Sequence, residues 1–174
     1  MKKNDFKKGE FIAIYTDVEG EDWALGEVIA VDDEDVIISS VHPLGLDDGL
    51  ALYNISIIRK IEKETQYNTK IQKIMKAKNT CLARYNFKSK KILLELLALA
   101  KDTKKIISVE LQNEESDYEP YGLVESFDDV TCTIKLIDMF GRKDGVSIFS
   151  IEDISAIMYN SLKSRDILWL MENQ

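Results

Sequence analysis

The groups in this chain that are capable of chemistry are one histidine, two cysteines and several knots of carboxylates. His42 is the only imidazole, so a His-dependent nucleophilic step has to pair it with Cys81 or a serine, and nothing in the sequence brings such partners together. Standing before Pro43 at the end of an apolar run, it reads as a turn residue. Cys81 and Cys132 form no C-x-x-C pair and no Cys/His cluster, which argues against a disulfide framework and a zinc site. Cys132 reads as a small buried hydrophobe. Carboxylates cluster at 17–22 (DVEGED), at 113–119 (NEESDYE), and at Asp32-Asp33 and Asp128-Asp129. A calcium ion takes about six to eight oxygens in a defined order, and neither loop has EF-hand spacing, so solvated hairpin loops are the reading. Hydrolysis by paired carboxylates needs one acid raised in an apolar pocket, and loops this wet do not supply it. With no P-loop and no G-x-G-x-x-G, the chain is expected to be non-enzymatic, without cofactor or metal.

Binding chemistry is better represented. The 174 residues carry a net charge of -8, but the charge is unevenly spread. Residues 11–62 hold two basic and twelve acidic groups, residues 106–174 five and fourteen, and residues 63–105 twelve basic against three acidic. Lys70, Lys73, Lys76 and Lys78 open this basic stretch. Arg84, Lys88, Lys90 and Lys91 continue it, with Tyr85 interleaved. Such a surface suits phosphates, because neutralising them releases counterions and an aromatic ring can stack on a base. The alternative is a solvated connector that settles on its own acidic flanks. Trp23, before the second apolar run, is either a lid over a core or an anchor for a partner.

The elements that position these groups occur twice. At a shift of 96, residues from Phe11 to Met75 align with those from Ile107 to Met171 without a gap, and roughly fourteen of some 65 pairs are identical. Gly26 and Val28 match Gly122 and Val124; Asp32-Asp33 match Asp128-Asp129; Gly45, Asp48 and Gly49 match Gly141, Asp144 and Gly145. Ile55, Ile58 and Ile61 match Ile151, Ile154 and Ile157. His42 is matched by Asp138. Within each copy the period is two: a first strand at Phe11, Ala13 and Tyr15, a hairpin GEVIAV-DDED-VIISSV, then two more strands split by a tight turn near Ser56. The second copy repeats this from Ile107, with its last turn near Glu152. Helices are expected at 64–78, at 89–101 capped by Ser89, and over DILWLM with Trp169 packed on an apolar surface. The apolar helix around Leu96 needs cover on more than one side.

Five short strands in about 50 residues, with no crossover helix, predict a small antiparallel barrel in each copy. GEVIAVDD and the run Gly49, Leu50, Leu52, Tyr53, Ile55, Ile58 and Ile61 resemble the two motifs of Sm-like and SH3-like barrels. That resemblance implies a scaffold. Its RNA contacts would fall near Asp35-Val36 or Thr131-Cys132, and on Asn54-Ile55 or Ser150-Ile151, but the family's Arg-Gly pair is absent from both.

The expected architecture is mainly β with helices: two tandem five-stranded antiparallel small barrels, at 1–63 and 106–174, joined by a helical basic connector at 64–105. The expected function is a non-enzymatic interaction or adaptor protein with a protein partner, either a different protein or a second copy in a homodimer. RNA or DNA binding through the connector is the alternative. No run of about eighteen apolar residues occurs and no cleavable hydrophobic region follows MKKNDFKKG, so a cytoplasmic, membrane-free and, from Lys/Ile-rich usage, bacterial protein is expected.

Overall fold

The computed structural model describes residues 1–16, 23–112 and 119–173. The acidic stretches at 17–22 and 113–118 lie outside the described residues. Among the described residues the chain is mainly β, with ten antiparallel strands and three α-helices, and it divides into two compact units, Met1–Ile92 and Leu93–Gln174. No described helix is long and apolar enough to cross a membrane.

In the first unit β1 (Phe11–Tyr15), β2 (Trp23–Val31), β3 (Asp35–His42), β4 (Leu46–Asn54) and β5 (Lys60–Lys63) lie in the order β5-β1-β2-β3-β4, followed by α1 (Gln66–Ala77). The second unit opens with α2 (Ile92–Thr103), whose first residue belongs to the first unit. It then repeats the pattern with β6 (Ile107–Leu111), β7 (Tyr121–Phe127), β8 (Thr131–Ile137), β9 (Lys143–Ser150), β10 (Ile154–Tyr159) and α3 (Leu162–Glu172), in the order β10-β6-β7-β8-β9.

The repeat extends to the irregularities. The β2–β3 register slips between Val28 and Ala30, and the β7–β8 register between Val124 and Ser126, which are the same positions 96 residues apart. A second slip follows Ser39 in β3 and Lys135 in β8. Bulges like these bend a strand and tighten its twist, as a small curved sheet requires. Gly45 and Gly141 hold positive φ in the turn after β3 and β8. Glu64 and Asn160 share a left-handed backbone just ahead of their helices, whose N-caps are Thr65 and Ser161.

The hairpin turns use the aspartates as anticipated. Asp32 Oδ1 accepts from the amides of Glu34 (2.9 Å) and Asp35 (2.8 Å), and Asp128 Oδ1 accepts from those of Val130 and Thr131, both at 2.8 Å. These amides hold the Asp128 carboxyl below the usual aspartate range. His42 and Asp138 do parallel work in the next turn: His42 Nδ1 accepts from the Leu44 amide, and Asp138 Oδ1 from those of Phe140 and Arg142.

Each core lies on the inner faces of the strands and under a helix. Ala13, Leu25, Val41 and Ile71 cluster in the first unit; Ile106, Ile137, Ile167 and Leu168 cluster in the second. Two helix expectations need correction. The Ser89 hydroxyl accepts from the Lys91 amide, whereas the first amide of α2, on Ile92, donates to Asp32 Oδ2 at 3.0 Å. The cap comes from a turn 60 residues earlier because Asp32 still has a free oxygen there. Trp169 is 63% exposed rather than packed, since α3 buries Ser164, Ile167 and Leu168 and turns the next position outward. The repeat counterpart of Trp169 is Lys73, which is also exposed.

Candidate interaction surfaces

The two places where the resemblance puts RNA contacts do meet. Asp35 and Asn54 are register partners on β3 and β4, as are Thr131 and Ser150 on β8 and β9. Asn54 Nδ2 donates to Asp35 Oδ1 at 3.3 Å, while Asn54 Oδ1 accepts from the amide and the hydroxyl of Ser56. Asp35 is buried, and burial, reinforced by the charges of Asp32 and Glu34, pushes its carboxyl up to about 7. The arrangement is a latch between a hairpin and the turn before β5: its polar groups are spent on each other rather than aimed at a ligand.

The basic stretch is docked through Thr80, Leu82 and Ala83, while its lysines are exposed. The Thr80 hydroxyl donates to the Gly45 carbonyl (2.6 Å), the Ala83 amide to Asp47 Oδ1 (3.3 Å), and the Ser39 hydroxyl to the Ala83 carbonyl (3.0 Å). Leu82 packs on the first core. These contacts lay residues 80–85 across β3 and its following turn. Lys70, Lys73, Lys76, Lys78, Lys88, Lys90 and Lys91 are all exposed, and Arg84, 3.9 Å from Glu27, leaves 81% of its side chain in solvent. Lys8, Arg84, half-buried Tyr85 and Asn86 border a cleft of about 340 Å³ with Glu27 on its wall. A second hollow, about 520 Å³, runs beside Lys70 and Lys73 on α1.

Trp23 is the first residue of β2 rather than part of a loop. Its ring stands edge-on to Tyr67 at 5.5 Å and tilts against Tyr15 at 6.4 Å, so its apolar area is used inside the first unit. Cys132 is fully buried and its thiol is pushed up to about 11 by that burial, while Cys81 is exposed.

The two units differ on the outer face of the strand after the Gly45 and Gly141 turns. On β4, Leu50 and Leu52 are 0% exposed. At the same repeat positions on β9, Val146 is 54% and Ile148 70% exposed. Met139 and Phe140, in the turn leading to β9, are exposed as well. No family model, curated protein or solved structure matches the chain. The sites must therefore be read from their own chemistry.

One sequence signal for this face was available. β3 runs VIISSV, buried throughout, whereas β8 runs TCTIKL and alternates. An alternating strand has one wet face, and a continuous run of buried residues has none.

Proposed function

We propose that this chain is a non-enzymatic docking protein made of two Sm-like or SH3-like small barrels, and that it engages a protein partner through the outer face of β9. The five-strand order common to both units, with a bulge at the same place in each, supports the barrel reading. The observation that carries the function is the pair Val146 and Ile148, exposed where their counterparts Leu50 and Leu52 are buried. Apolar side chains in contiguous exposed groups mark interaction sites, whereas scattered ones do not. A photo-crosslinking amino acid placed at Ile148 is expected to form protein adducts in cells, and the same group at exposed Lys163 is not. Equal yields at both positions, or none at either, would count against the reading.

A second reading has its own support. The exposed lysines of α1 and of residues 78–91 give the first unit a cationic face. RNA or DNA binding there should weaken steeply with salt. Lys70→Glu/Lys73→Glu/Lys76→Glu should then abolish a gel shift seen at about 50 mM salt and flatten its salt slope by about three phosphate contacts. Unchanged binding in that variant would remove the basic face as the site.

A further inference from the structure

We propose that β9 pairs edge to edge with β9 of a second copy of this chain, antiparallel about a two-fold axis passing through Ser147. This rests on the reading of β9 as a docking surface and commits that surface to one occupant.

A sheet edge presents unpaired N–H and C=O groups, and stable folds blunt such edges with short strands and charge. β5 lies at one end of the first unit's strand order and β9 at one end of the second unit's, and they are treated differently. β5 is four residues, KIEK, and its cations are engaged: Lys63 Nζ reaches Glu10 at 2.6 Å and the Asp5 carbonyl at 2.8 Å, and Lys60 Nζ reaches Glu62 at 3.1 Å. β9 is eight residues, pairs only with β8 among the described residues, and carries no charge from Gly145 to Ser150. It is the less protected edge.

The sequence of β9 is complementary to its own reverse. With the axis at Ser147, Val146 stands opposite Ile148 of the second copy on the outer face, and Ile148 opposite Val146. Gly145 stands opposite Phe149, leaving room for the ring. Beyond the strand, exposed Arg142 comes opposite exposed Glu152 of the second copy at one end, and the reverse holds at the other. Neighbouring registers lose this match. An axis at Val146 sets Ile148 against Asp144, and an axis at Ile148 sets Asp144 against Glu152. Cross-strand apolar and opposite-charge pairs stabilise a sheet, and like charges oppose it. Because the pairing is two-fold it closes at a dimer.

Opposed residues of an antiparallel pair sit about 4.5–5.5 Å apart at Cα, within the span of a disulfide. In a Cys81→Ser background, Ser147→Cys is therefore expected to give a disulfide-linked dimer under mild oxidation, while Cys81→Ser alone gives none. By light scattering the unmodified chain is expected to be a dimer at micromolar concentration. Ile148→Asp, at a position exposed enough to spare the fold, should weaken that dimer by about a hundredfold. Glu152→Arg should also weaken it, and Glu152→Arg combined with Arg142→Glu should restore it. A chain that stays monomeric at about 0.1 mM overturns the proposal. So does a dimer that survives Ile148→Asp and is not trapped by Ser147→Cys. A monomer that still crosslinks to a different protein from position 148 overturns the self-pairing alone and leaves the docking reading standing.

Discussion

Replacing Gly26 or Gly122 with alanine is expected to cost about 3 kcal/mol of stability, at the upper end of ordinary overpacking. Both glycines lie where β2 or β7 crosses its hairpin partner, opposite Ser40 and Leu136. A Cβ on Gly26 would press on the Ser39 carbonyl, with its carbon at 2.9 Å; on Gly122 it would meet the Lys135 carbonyl, with its carbon at 2.8 Å. The obstacle is backbone in a paired strand, which cannot rotate away as a side chain would. Gly9 is the control: its φ is +87°, but no atom lies within 4 Å of the added carbon, so Gly9→Ala should cost only about 1 kcal/mol of conformational strain. Urea melts of the three variants decide it. Equal, small losses at all three positions would mean that the strands separate easily at the glycines.

The second large effect is on pH dependence. Asp35 is buried with its carboxyl raised to about 7, against an ordinary value of 3.8. Folding therefore favours its protonated form. The contribution is fully present below about pH 4, declines as pH rises through 7, and is absent above. At about 1.4 kcal/mol per pKa unit, the span is on the order of 2–4 kcal/mol once the remaining exposure of the group is allowed for. Asp35→Asn keeps an oxygen to accept from Asn54 and cannot ionise. It should match the parent protein near pH 4 and exceed it in stability by that amount at pH 8. Identical stability of the two proteins at pH 8 would show that the latch tolerates the charge. Asp128, in the corresponding turn of the second unit, is lowered by backbone amides and shifts the other way, losing its contribution as pH falls.

Much of this was legible in the residues. The 96-residue repeat, the glycines of the turns after β3 and β8 and the aspartates of the hairpin turns all follow from local rules: period-two burial, positive φ, and a carboxylate accepting from amides two and three residues on. What escaped is non-local. Nothing near Ile92 indicates that its amide is capped by Asp32, because the contact joins residues 60 apart through the path of the segment between them. Trp169 suggested packing by its size, yet its helix buries the neighbouring Leu168 and Ile167 instead. The charge of residues 63–105 was visible as a sum, but whether its lysines meet carboxylates or water depends on docking by Thr80, Leu82 and Ala83, which are uncharged. The open face of β9 was half-visible. Alternation in TCTIKL marks a wet face, but it does not say that Val146 and Ile148 lie beside it.

The central claim is that β9 is an open docking strand where its repeat counterpart β4 is closed. Backbone hydrogen exchange across a dilution series tests it most directly. The amides of Val146–Phe149 are expected to exchange much faster than those of Leu50–Tyr53 at high dilution, and to slow as concentration rises while β4 does not change. Slow exchange of β9 at every concentration, equal to that of β4, would contradict the claim.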